Sequence, residues 1–346
     1  MRIIQRITHA ALLLFMIVVP ATQSTAAELH GRSSTQYLWY NDPIVGKHQK
    51  DLSEYLMLSL TGLDSAGKLS LQGYGRAVYD LKDDVYSDDL ETRLYYLFVD
   101  YRNFMDRADI RLGRQFVNFS SGSSLMDGVL IDVKNIGPVG FMLAGGRDIR
   151  FGEIEPITSH ASAAGVAVYL AGYKNTDLDV SYFRNYDYSD ITRDIVGASF
   201  KQYLFDSVKL FADARYDLTA EVFNEVLGGV KYFPVLDLML TAEYYESYPT
   251  FDTTSIYSVF AVEKYQEGVL GAEYTVNSWL DLSAGYYHEE FSDDARGAVY
   301  EVGLRLRPFS ALTLGVYHDA RRGYGGTLDG YKVYAEYGKP GSWKAS

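Results

Sequence analysis

The feature that most constrains this chain is a period of two in its apolar residues, sustained along nearly its whole length. Residues 206–217, DSVKLFADARYD, place Val208, Leu210, Ala212, Ala214 and Tyr216 on one parity. Lys209, Asp213, Arg215 and Asp217 take the other, with Phe211 among them. Residues 298–307 set Tyr300, Val302, Leu304 and Leu306 against Glu301, Gly303, Arg305 and Arg307, and residues 279–290 and 330–338 repeat the scheme. Neighbouring side chains of a strand point to opposite faces, so each segment is a strand with one apolar and one polar side. Residues 108–135, ADIRLGRQFVNFSSGSSLMDGVLIDVKN, sharpen the point. Ile110, Leu112, Val129 and Ile131 form an apolar side, arginines and aspartates lie opposite, and no helical segment is available to cover the apolar residues.

A soluble sandwich would bury such faces between two layers and leave the charge outside. Two observations favour lipid as the cover. The segments are about ten residues long, enough to cross a bilayer at a tilt. Tyrosines crowd their ends, as at Tyr95–Tyr96, Tyr244–Tyr245 and Tyr286–Tyr287, where interfacial girdles belong. A closed barrel also satisfies every backbone donor without an open sheet edge, as hydrocarbon requires. Short turns are expected at 63–68, 101–107, 134–138, 173–177, 203–206, 233–237, 276–279 and 308–311. More variable, acidic loops alternate with them at 82–89, 149–160, 247–258, 291–297 and 321–330. The expected fold is all-β: a transmembrane antiparallel β-barrel of about eighteen strands, sixteen being the nearest smaller even count, with both termini in the periplasm.

The first residues say how the chain reaches a membrane. Arg2 and Arg6 precede an apolar run over 10–20, and Ser24, Ala26 and Ala27 offer small residues for cleavage. Residues 1–27 thus have the layout of a secretory signal peptide, and residues 28–346 form one barrel domain. No cysteine is present, which excludes disulfides, thiolate metal sites and attached c-type haem. An exported chain without cysteine suits the bacterial envelope, here the outer membrane. Thirty-one tyrosines and thirty-one glycines stand beside eight prolines, and the net charge of −13 argues against a nucleic-acid partner. The expected partners are outer-membrane lipid, lipopolysaccharide and small hydrophilic solutes, with a homotrimer or a periplasmic protein as the assemblies open to such a barrel.

The polar parity supplies the candidate lumen residues Arg76, Asp109, Arg111, Asp213, Arg215, Glu243, Glu301, Arg305 and Arg307, together with Asp80, Asp217, Asp281, Lys332 and Glu336, and Arg114 joins them as a candidate that lies off that parity. Such charges can bias which solutes pass, or pair across strands and brace the wall. No metal or cofactor pattern emerges, and no calcium-loop spacing is present. Catalysis has only weak motif support. His160 and Ser162 have the spacing used by some outer-membrane lipases, but Ala163 stands where those enzymes have asparagine. His318–Asp319, with the doublets Asp83–Asp84 and Asp293–Asp294, mimics the parts of an omptin-like protease. No enzyme is expected.

Arg111-Leu112-Gly113-Arg114-Gln115, followed by Asp127-Gly128-Val129, resembles a strand pair of the alginate-export porin family. The resemblance covers about thirty residues and implies an eighteen-stranded barrel with a charged lumen. Met126 departs from the family's aromatic before Asp-Gly, and the mixed signs of the lumen candidates do not suit an anionic polymer. The resemblance therefore implies barrel and transport, not alginate. Within the motif Arg114 has the parity of Leu112 and should face lipid, which is costly. A bulge at Gly113 or a position at the membrane rim is the expected escape. The expected activity is passive diffusion of small hydrophilic solutes or ions. The alternative is a barrel sheathing a multihaem cytochrome in an electron conduit.

Overall fold

The computed structural model describes residues 27–41, 48–81, 90–149, 160–251, 263–338 and 344–345. Residues 1–26, the 82–89 stretch with Asp83–Asp84, and most of 149–160 and 247–258 lie outside them, so the expected export signal falls almost wholly outside the described residues. Eighteen long strands follow one another: β1 (Glu28–Asn41), β2 (His48–Thr61), β3 (Leu69–Asp80), β4 (Leu90–Phe104), β5 (Ala108–Phe119), β6 (Gly122–Ile136), β7 (Val139–Asp148), β8 (Ala161–Tyr173) and β9 (Thr176–Asp187), then β10 (Asp190–Leu204), β11 (Val208–Asp217), β12 (Val222–Val235), β13 (Leu238–Ser247), β14 (Tyr265–Asn277), β15 (Leu280–Phe291), β16 (Arg296–Phe309), β17 (Leu312–Gly323) and β18 (Leu328–Gly338). A two-residue strand, β19 (Lys344–Ala345), folds back on the end of β18. No helix occurs among the described residues. The arrangement is the up-and-down antiparallel order of a transmembrane β-barrel.

The chain divides into two compact units, Met1–Asn118 with Ser123–Ala164, and Phe119–Gly122 with Gly165–Ser346. In the first, β1 to β5 pair consecutively and β6 pairs with β7, all antiparallel. In the second, β9 to β18 pair consecutively and antiparallel. All eight short turns fall where the pattern of breaks places them, from Gly62–Lys68 after β2 to Ser310–Ala311 after β16. Three of them, Met105–Asp106, Lys174–Asn175 and Phe205–Asp206, carry positive φ at both central residues, the geometry that matches the twist of a tight hairpin. In the Gly62–Lys68 turn the Asp64 carboxylate accepts the N–H groups of Lys68 (2.6 Å) and Leu69 (2.8 Å).

Register turns the sequence period into two surfaces. One cross-strand row of the second unit reads Tyr274, Leu282, Leu304, Val316, Val333 from β14 to β18. The adjacent row on the other face reads Glu273, Ser283, Gly303, Tyr317, Lys332. All five side chains of the first row are exposed or half-exposed. Exposed aromatics bound this apolar face at both ends: Tyr244, Tyr300 and Tyr331 toward the long loops, and Tyr232, Trp279, Phe309 and Tyr337 toward the short turns. Leaving a Leu or Val in water forfeits roughly 1.5–3 kcal/mol each. Rows of them on a sheet that no described residue covers are stable only where lipid takes the place of water.

Candidate functional site

The polar face carries the charge. Within the first unit Arg76 (3.3 Å) and Arg93 (3.1 Å) both reach Glu91, Arg102 (3.0 Å) and Arg111 (3.6 Å) both reach Asp100, and Lys134 reaches Asp109 at 2.5 Å. Within the second, Arg215 pairs with Glu225 (2.7 Å), Lys231 lies 3.8 Å from Glu243, and Arg305 and Arg307 share Asp281 at 3.5 and 2.5 Å. Glu301 accepts the Tyr287 hydroxyl at 3.0 Å. Arg76, Asp109, Arg111, Asp213, Arg215, Glu243, Glu301, Arg305 and Arg307 therefore share the polar face in their own units. Most of those charges stand in cross-strand pairs or triads, which brace the sheet and still leave donors and acceptors at its surface.

Arg114 departs from that group. The pairing runs without a shift through Phe98–Gly113 and Leu97–Arg114, so no bulge at Gly113 resets the parity. Arg114 completes an apolar-face row of Gly31, Leu58, Gly73 and Leu97. It keeps that position by neutralisation. Asp127, on the same face of β6, accepts its Nε at 2.7 Å and its Nη2 at 2.9 Å. A bulge does exist next door in β4, where the register shifts between Tyr74 and Gly75 and Tyr95 is the extra residue. There the Leu94 carbonyl accepts Arg114 Nη1 at 3.1 Å. Gly113 has φ +126°, and a Cβ on it would meet the Leu97 carbonyl oxygen at 2.4 Å. The glycine lets β5 approach β4 closely enough for the arginine to reach across.

A turn that the sequence pattern does not single out lies on the polar face of the second unit. Phe119–Gly122, between β5 and β6, rests on β9, β10 and β11. The Ser120 and Ser181 hydroxyls are 2.7 Å apart, and the Ser121 N–H donates to Ser181 Oγ at 2.7 Å. Arg215 Nε donates to the Ser120 carbonyl at 2.9 Å while its Nη1 holds Glu225. The Phe119 ring sits 5.8 Å from that of Phe183. A Cβ at Gly197 would lie 2.3 Å from the Ser121 nitrogen, so only glycine admits the turn at this depth. Phe119, Ser121, Ser181, Phe183 and Ile195 are all buried. Phe183 and Ile195 oppose each other on the polar face; such apolar residues at polar parity are the signal that something covers them.

His318 and Asp319 are adjacent in β17 and point to opposite faces. His318 stacks on Tyr331 at 4.6 Å and donates from Nδ1 to the Gly330 carbonyl at 3.1 Å. Among the described residues no group of three or more metal-ligating side chains converges.

No family model matches the chain, and no curated protein matches it. Among solved structures it is similar to Pseudomonas aeruginosa OccK5 (OpdH), at 12% identity over 89% of this chain and 97% of that one, with a TM-score of 0.47. It is similar to Pseudomonas aeruginosa OpdK with vanillate, at 10% identity over 90% and 98%, TM-score 0.49. It is also similar to Acinetobacter baumannii OccAB1, at 12% identity over 90% and 97%, TM-score 0.45. No residue role follows from a likeness at this level.

Proposed function

We propose that this protein is an outer-membrane β-barrel channel through which small hydrophilic solutes or ions diffuse, with no chemical step. The observation that carries the reading is the two-faced wall. Strand after strand presents exposed Leu, Val and Ile between aromatic ends on one face and ion pairs on the other. Lipid suits only the first face, and the second then lines water. Residues 1–27 serve as the export signal and residues 28–346 as the barrel domain, delivered to the bacterial outer membrane. The turn Phe119–Gly122, lying on the polar face, narrows the aqueous path at β9–β11, and the polar-face charges set selectivity.

The finer resemblance to alginate exporters rests on residues 111–115 and 127–129. In this fold Arg114 and Asp127 join across the apolar face and Gly113 admits a neighbouring strand, which are wall-building roles rather than contacts to a polymer. A homotrimer would register as three copies per particle in native mass spectrometry of the detergent-solubilised protein. Planar-bilayer recording tests the channel itself. Purified protein is expected to give stepwise ion currents, and a correctly folded sample without current would favour a sheath around a periplasmic partner.

A further inference from the structure

We infer that the polar face of β2–β5 is a track for the rings of a neutral carbohydrate, an inference that rests on the channel reading and names its solute class. Five aromatic side chains run across three strands on the face that also carries Arg76, Glu91, Asp100 and Arg111. Tyr55 lies 6.5 Å from Tyr74, and Tyr74 lies 4.9 Å from Tyr95, with ring planes 22° and 21° apart. Tyr74 continues to Tyr96 at 5.8 Å, Tyr96 to Phe98 at 5.7 Å, and Arg111 caps Phe98 at 4.5 Å. The four tyrosines are half-buried and therefore still open to solvent. They are not lipid girdle residues: register places Tyr55, Tyr74 and Tyr96 on the face opposite Leu56, Gly73 and Leu97, and Tyr95, the bulge residue, stacks on Tyr74.

The surroundings decide the chemistry. Beyond Tyr74 toward the long loops stands the Arg76–Glu91–Arg93 triad, and beyond Phe98 toward the short turns stands Arg111–Asp100–Arg102. Beside Tyr55 a pocket of about 500 Å³ is lined by Gln36, Asp51, Ser53, Arg76 and Glu91, a volume within the range that holds small ligands. A charged solute would have to displace one member of an existing ion pair to bind strongly. A neutral polyol need not, since paired arginines and carboxylates keep spare donors and acceptors for hydroxyls. A sugar ring joins both features in one molecule: a C–H face that lies on an aromatic ring and a rim of hydroxyls that meets the flanking pairs.

Maltotriose is the probe. Added to wild-type channels in a planar bilayer, it is expected to interrupt the ion current reversibly, and titration calorimetry of the detergent-solubilised protein should show saturable heat. Tyr74→Ala and Tyr55→Ala should each raise the half-blocking concentration about fivefold, the value of one aromatic contact. Tyr74→Phe, which keeps the ring, should stay near wild type and so guards against reading misfolding as lost affinity. Current without block or heat overturns the track and leaves the channel standing. Heat without any current sinks the channel reading alone. Block by 4-hydroxybenzoate but not by maltotriose overturns the carbohydrate assignment in favour of an aromatic acid.

Discussion

Arg114 shows how one residue on the unfavourable face is made tolerable. A single arginine facing hydrocarbon near mid-bilayer costs roughly 2–4 kcal/mol, yet here it sits beside Leu97 with a bidentate carboxylate partner. Removing either partner should therefore cost more than removing both. Arg114→Ala, which takes the bidentate partner from Asp127 and leaves it only Arg147 across β7, is expected to lower stability by about 2 kcal/mol in urea unfolding from phospholipid vesicles. Asp127→Leu should do the same by stranding the arginine. The double change to leucine at both positions should fall closer to wild type than either single change, because the bidentate pair is replaced by apolar side chains and only Arg147, opposite position 127, loses a charged neighbour. A double variant as weak as the singles would show that the pair contributes something other than mutual neutralisation.

At the scale of elements, turns separate into those that local chemistry specifies and one that distant strands hold. The Gly62–Lys68 turn is of the first kind. The Leu69 N–H holds the Asp64 carboxyl below the usual carboxylate range; desolvation acts the other way, and the Lys68 N–H adds to the lowering. A depressed pKa in the folded state means the contribution is full above the unfolded value of about 3.9 and is lost as pH falls through the folded value. NMR titration should accordingly find Asp64 titrating below about 3.9, with the Leu69 amide shift following the same curve. Asp64→Asn should remove that curve.

The Phe119–Gly122 turn is of the second kind, since its anchors Ser181 and Arg215 lie 61 and 95 residues away from Ser120. Gly197→Val would drive a side chain into the Ser121 backbone, an overpacking of order 1–3 kcal/mol. The expected outcome is a displaced turn and a higher single-channel conductance in planar bilayers. Arg215→Ala, which removes the tether to Ser120 and the partner of Glu225, should move conductance the same way. Unchanged conductance in both would place the turn outside the solute path.

For the whole molecule the question is how much of a membrane wall is written in its sequence. The strand number and all eight short turns were legible, because a period of two and its interruptions are local properties. The faces of Arg305, Arg307, Glu301 and Arg215 followed from the same parity. Chain order likewise pointed to lipid as the cover, since among the described residues no amphipathic helix follows the strands to shield Leu282, Leu304 and Val316. Parity could not say which carboxylate would meet Arg114, that the bulge would fall at Tyr95 rather than at Gly113, or that Ser120 would come to rest on Ser181. Those outcomes depend on register between strands and on glycines that let backbones close to van der Waals limits, and such contacts join residues that no local pattern links. The sequence by itself determined a two-faced antiparallel wall. Only the tertiary structure decided where that wall is braced, where its polar side is covered, and where its aromatic rings line up.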